Sequence, residues 1–309
     1  MEFSAVEFRA AEPQAVQGRV RRAGWVRVGH GQHRPAGAGP EPDLAAWITA
    51  LPEGASFTHL TAASLYGLWL PPTPKDLPLF VCLPPGANRV RRPEIRSLRV
   101  DPVGRSRPVR GVPVVSPEEV LMSCARDLGV LDLVVLGDSL LHRGLTDLDR
   151  LAALARNRRP GVLVLRSVLG WMSPCAESPW ESLLRVLHQS AGIEVVPQHT
   201  VHDSRGRFVA RGDLWLPGTR MLHEYDGAGH RDRATHVRDL DRDRRLLAAG
   251  WARRAYTARE LVHAPEEIIE AACNSLGRSF EAAMLDPWRE LLGESLFSGQ
   301  PRLARHRGS

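Results

Sequence analysis

Hydrophobic and polar positions follow two periods along this chain, and the places where the period changes mark its elements. Residues 24–35 ("GWVRVGHGQHRP") alternate apolar and polar side chains, as a half-buried strand does. "FTHLTAASLYGLWLPP" (57–72) has helical spacing and is stopped by Gly67 and two prolines. "PLFVCLPP" (78–85) is the short apolar run of a buried strand, and 93–116 is strand-like and rich in arginine. The helical period then takes over. Ser116, Pro117 and Glu119 supply an N-cap, a first-turn proline and a capping-box acid for a helix over 116–129. Residues 130–144, 146–157 and 161–172 continue at the same spacing.

A third stretch opens with the same Ser-Pro-x-Glu signature in "SPWESLLRVLHQSAG" (178–192). Three strand candidates follow at 193–201, 206–217 and 219–227, separated by turn residues. A charged helix over 235–250 ends at Gly250, a strand spans 251–258 and a helix spans 265–277. The order α-β-β-β-α-β-α predicts an α/β fold with a mixed sheet flanked by helices. The segments group as 1–112, a small helical segment 113–174, an α/β domain 175–285, and a basic tail 286–309 whose last residues, 299–309, read as disordered.

Acidic residues gather at the strand ends of the α/β part. Alternation along 219–227 puts Leu222, Glu224 and Asp226 on one face and Met221, His223 and Tyr225 on the other. On the preceding strand Val209, Arg211, Asp213 and Trp215 share a face. A hairpin across "PGTR" therefore brings Asp213 towards Glu224. Converging carboxylates repel and lose solvation unless a cation neutralises them. Mg²⁺ or Mn²⁺ is the fitting partner, since each takes hard oxygen ligands and keeps waters for chemistry. The carbonyl of Tyr225 is a third candidate ligand. Glu181 has two readings: the acid of a capping box, or a carboxylate reaching over the sheet to the same ion. Gly227 and Gly229 allow a tight turn there, as in any strand exit, and His230 closes the cluster as an acid–base candidate or a structural histidine.

Composition changes this picture in three respects. The net charge of +6 and pI of about 9.7 come almost wholly from arginine, with Lys75 the one lysine. Such a balance favours a polyanionic partner such as DNA, although a GC-rich coding bias produces the same excess. Helix 235–250 interleaves Arg238, Arg242, Arg244 and Arg245 with Asp239, Asp241 and Asp243. Together with Arg211, three of these arginines, Arg238, Arg242 and Arg245, are candidates for phosphate contact; the competing reading is a solvated face stitched by i,i+4 pairs. Cys82, Cys124, Cys175 and Cys273 lie far apart with no CxxC spacing, which argues against a zinc knuckle or a disulfide framework. With no signal peptide and no apolar run near membrane length, the expectation is a cytoplasmic protein with no membrane contact.

The string "SPWESLLRVL…VARGDLWLPGTRMLHEYDGAGH…RDLDRDRRLLAAGW" resembles the very-short-patch-repair-like branch of the PD-(D/E)XK nuclease superfamily, and more narrowly an actinobacterial family with such a C-terminal domain. The likeness covers about residues 175–275. It implies a restriction-endonuclease-like domain and Mg²⁺-dependent hydrolysis of DNA phosphodiesters. Glu181 then corresponds to the acid of the first helix and Asp213 to the acid of the "PD" strand, with Gly212 in place of proline. Glu224 corresponds to the acid of "(D/E)XK", Asp226 stands where the superfamily has lysine, and His230 matches a histidine that often follows Asp-Gly. "FTHLTAASLYGLWLP" resembles a helix in the N-terminal region of type IV toxin–antitoxin, abortive-infection antitoxins, and "AGWVRVGHGQHRP" resembles the wing-like hairpin that precedes it. That likeness implies a degenerate winged helix, DNA contact and a partner protein of a toxin–antitoxin or defence system. The alternative function is a non-enzymatic, DNA-binding, antitoxin-like transcriptional regulator.

Overall fold

A computed structural model describes residues 16–17, 25–29, 32–35, 40–74, 77–99, 106–227 and 233–299, with the backbone alone at those of 16–43 and at 233–238. It is a mixed α/β protein that divides into two compact units, 1–66 with 77–120, and 67–76 with 121–309.

In the first unit β1 (Val16–Gln17), β2 (Trp25–Gly29) and β3 (Gln32–Pro35) form a small antiparallel sheet in the order β1-β3-β2, so 25–35 is a hairpin, where alternation alone gives a single strand and the resemblance a hairpin. The helix α1 (Pro40–Ile48) follows. The second sheet joins β4 (Ser56–Phe57), β5 (Leu79–Leu83), β6 (Ile95–Arg99), β7 (Arg107–Val109) and β8 (Val112–Val114) in the order β6-β5-β4-β8-β7. The predicted helix at 57–72 is α2 (His59–Leu65), inserted between β4 and β5 with His59, Leu60, Ala62, Ala63 and Leu65 buried. Gly67 closes it in a left-handed conformation, φ 68°, which glycine alone adopts without strain.

The division falls within α3 (Pro117–Cys124), capped by Ser116, whose Oγ accepts the Glu119 amide at 3.2 Å. Four helices precede the second unit's sheet: α4 (Val130–His142), α5 (Leu148–Leu154), α6 (Val162–Val168) and α7 (Pro179–Ser190). Every residue of α4 from Leu131 to Leu141 is buried. Two buried aspartates on α4 tie distant segments together. Asp138 accepts from the Ser182 hydroxyl (2.7 Å), the Arg185 guanidinium (2.6 Å) and the Ser173 amide (2.7 Å), which fixes α7. Asp132 accepts from the Ser295 hydroxyl (2.6 Å) and the Leu296 amide. A buried ion pair is expensive to break, because the partner left behind stays charged and unsolvated.

The sheet of this unit has the order β12-β11-β10-β9, from β9 (Val196–His202), β10 (Phe208–Trp215), β11 (Met221–Tyr225) and β12 (Ala252–Tyr256). The first three run antiparallel, and β12, reached through α8 (Arg233–Ala248), is parallel to β11. The α-β-β-β-α-β order read from the periodicity is the order observed. Two short helices, α9 (Ala258–His263) and α10 (Pro265–Ser275), follow, the first opened by a reciprocal Thr257–Glu260 capping box. The predicted tail from 286 needs correcting. Its first part forms α11 (Asp286–Gly293) and a 3-10 turn at Leu296–Ser298, because Trp288, Leu296 and Phe297 bury fully in this unit. The tail beyond 299 lies outside the described residues.

Candidate functional site

The site is built on α7, β10 and β11. Ser178 caps α7 by accepting the Glu181 amide at 3.2 Å, which sets Glu181 in the first helical turn beside the sheet. The Glu181 carboxylate does not return to the Ser178 amide. Its Oε2 instead accepts from the Glu177 amide (2.8 Å) and from Nε2 of Gln198 on β9 (2.9 Å). Gln198 is held at φ 52°, a left-handed backbone that costs a non-glycine residue of order 1 kcal/mol or more. Its Oε1 is buried with no hydrogen-bond partner among the described residues.

Asp213 and Glu224 meet as the hairpin predicts. Leu214 pairs with His223 and Trp215 with Leu222, so one further step of the register sets Asp213 opposite Glu224. The ladder stops there: the Tyr225 amide donates to Asp213 Oδ2 at 2.8 Å in place of a backbone carbonyl. Any side chain at Gly212 would put a Cβ 2.7 Å from Leu222 Cδ1, in the core formed by Val201, Val209, Ala210, Leu222 and Leu246. That close approach favours glycine at 212. Burial, and then the neighbouring Glu181 and Glu224 charges, push the Asp213 carboxyl up to about 7, against the pull of the Tyr225 amide and Arg242. Burial also raises the Glu181 carboxyl.

Glu224 is buried, and two arginines hold it. Arg242 on α8 places Nη1 at 2.8 Å from Oε2 and Nη2 at 2.5 Å from Oε1, while Nη2 also donates to the Arg211 carbonyl (2.6 Å). Arg253 on β12 donates to Oε2 at 3.2 Å and is tied to Asp243 by two hydrogen bonds. Neither Gln198 nor Arg253 was among the sequence candidates. On the opposite face of β11, Nδ1 of His223 meets Nε2 of His188 at 2.9 Å, both rings buried. Tyr225 stacks on Trp180 with centroids 5.8 Å apart.

The other sequence candidates fall elsewhere. Asp226 anchors its amide to the Tyr256 carbonyl (2.8 Å) and, with Asp243, Trp251 and Arg253, lines a cleft of about 390 Å³. Arg211 pairs with Glu177 at 2.7 Å on the surface. Arg244 pairs with Asp241 at 3.5 Å and Arg245 reaches the Asp241 carbonyl, both exposed on α8. His230 and the side chain of Arg238 lie outside the described residues.

Asp213 and Glu224 offer hard oxygen donors, and the orphaned Gln198 Oε1 can accept from a water of a hydrated cation. This chemistry fits Mg²⁺ or Mn²⁺. In the arrangement described, no three His, Cys, Asp or Glu side chains form a ready ligand set among the described residues. Glu224 in particular is already neutralised by guanidinium.

No protein-family model and no curated protein matches the chain. Among solved structures it is similar to the crystal structure of the RV2827C protein from Mycobacterium tuberculosis, at 19% identity over 58% of this chain and 72% of that one, with a TM-score of 0.34. Among the described residues no helix is long and apolar enough to cross a membrane.

Proposed function

We propose that the second unit is a metal-dependent endonuclease acting on DNA phosphodiesters, of the very-short-patch-repair-like PD-(D/E)XK kind. The observation that carries this reading is the convergence of Asp213 and Glu224 from neighbouring strands, with Glu181 close enough to raise the Asp213 carboxyl further. Glu181 and Glu224 held this near Asp213 oppose its ionisation, and a hard cation relieves that cost. Asp213 and Glu224 would hold Mg²⁺ or Mn²⁺, with the Tyr225 peptide adjacent. Bound there, the ion supplies an activated water and charge stabilisation on the phosphate. Gln198 fixes the Glu181 carboxylate through its Nε2, so that Glu181 and the free Gln198 Oε1 can orient that water. A role in DNA repair or phage defence, with a partner protein, and a cytoplasmic location are part of the proposal. Four free thiols, three of them buried, support the location.

The test is cleavage of supercoiled and mismatched DNA with Mg²⁺ or Mn²⁺ by wild type and Asp213→Ala. Loss of cleavage in the variant is expected, and equal cleavage by both overturns the reading. One observation favours a second reading, a DNA-binding regulator without catalysis: Arg242 and Arg253 already neutralise Glu224, and the position corresponding to the family's lysine carries an acid, Asp226. A regulator of that kind retards a specific DNA in EDTA and cleaves none with metal.

A further inference from the structure

With Asp226 at the position of the motif lysine, positive charge must reach the carboxylates from another element. It comes from α8. Arg242 meets Glu224 as a two-pronged pair and also pulls down the proton affinity of Asp213, so a single guanidinium serves both acids. The pair is asymmetric in exposure: the Glu224 side chain is 6% exposed and that of Arg242 25%. The acid is fixed in the sheet, and the cation approaches from the solvent side. The two arginines also differ in how firmly they are held. Arg253 is anchored by both oxygens of Asp243, whereas the hydrogen bonds of Arg242 go to Glu224 and one carbonyl. Arg242 is therefore the partner that can leave.

We infer that Arg242 is an exchangeable counter-ion: it closes Glu224 in the metal-free protein, gives way to a divalent cation, and transfers its fork to the non-bridging oxygens of a DNA phosphodiester. The inference rests on the nuclease reading. Its physical basis is that Glu224 cannot satisfy a bidentate guanidinium and a metal ion with the same two oxygens, so the cations compete. Planar guanidinium matches phosphate as it matches carboxylate, with two parallel N–H···O bonds, so the released side chain meets a ligand of the same geometry. Arginine does not lose its proton in the working pH range, so Arg242 brings charge and orientation to the phosphate and leaves proton transfer to the carboxylates and water.

The test measures Mn²⁺ affinity by electron paramagnetic resonance and plasmid nicking in parallel, on the full chain, for wild type, Arg242→Ala, Arg242→Gln and the double variant Arg242→Ala/Asp226→Lys. Removing the competing cation is expected to tighten Mn²⁺ binding about tenfold, as a competition worth little more than 1 kcal/mol does, while nicking slows at least tenfold. Lysine returned at 226 restores nicking in the double variant. Arg242→Gln keeps a hydrogen bond to Glu224 without the charge and replaces the alanine variant if that one does not fold. Unchanged or weaker Mn²⁺ binding without Arg242, or nicking at the wild-type rate, overturns the inference while leaving the nuclease reading in place. A wild-type protein that neither binds Mn²⁺ nor nicks DNA removes both.

Discussion

The strongest single consequence of the site concerns the charge on Asp213 in the absence of metal. Folding raises its carboxyl from 3.8 to about 7, chiefly through burial and then through Glu181 and Glu224. A folded-state value above the unfolded one means that the folded protein binds the proton more tightly. Between pH 4 and 7 it therefore holds a proton that the unfolded chain has released, and stability drops across that window as pH rises. Roughly three pH units at about 1.4 kcal/mol each give a destabilisation of about 4 kcal/mol that is complete above pH 7. Asp213→Asn removes the charge but keeps an oxygen to accept the Tyr225 amide. In EDTA at pH 8 the variant should therefore melt higher than wild type. At about 2 °C per kcal/mol for a chain of this size the rise is about 8 °C, and near pH 4 it vanishes. Calorimetry of both proteins from pH 4.5 to 8 measures it. Excess Mg²⁺ at pH 8 should raise the wild type and leave the variant where it was. A variant that melts lower than wild type at pH 8, or a difference independent of pH, would refute the reasoning.

Two further outcomes follow from the same elements. Burial pushes His188 down to about 4 and lowers its partner His223 further, so both rings are neutral when folded. Stability that depends on them is intact above the unfolded value of 6.5 and is lost as pH falls towards 4, by about 3 kcal/mol for His188. In Asp213→Asn, where the opposing carboxyl shift is absent, a melting temperature that stays flat from pH 6.5 to 4.5 contradicts this. Gly212→Pro pushes a Cβ into Leu222 and removes an amide from a strand paired on both sides. It should cost about 1–3 kcal/mol by denaturant titration without raising cleavage, and a stable, faster variant counts against the packing argument.

Much of the second unit is legible in the sequence because its signals are local. Ser178 and Pro179 open α7, alternation marks β10 and β11, and the short turn between them fixes the register that sets Asp213 opposite Glu224. The residues that went unread depend on longer range or on backbone shape. Nothing local announces that Gln198 adopts φ 52° and aims its amide at a helix residue 17 positions earlier. The stretch 286–298 carries Trp288, Leu291 and Leu292 at helical spacing, but its flanking charges, and the basic residues that follow, gave it the look of a tail.

Helix α8 shows where the limit lies. In 238–245 four arginines are interleaved with three aspartates, and charge pattern alone does not separate an arginine that reaches a site from one in solvent. What separates them is rotation about the helix axis. Leu246 is buried against Leu222, Val209 and Val201, and it is the anchor that fixes that rotation. Arg242 lies one turn before Leu246 and Ala249 one turn after, so the three share the stripe that faces the sheet. Arg244 falls on the opposite face of the helix and Arg245 on one flank, and both remain on the surface. The arginine that reaches Glu224 is thus the one in phase with the apolar stripe. A charged residue at helical spacing from a buried leucine is a better guide to a site than its place in a run of charges.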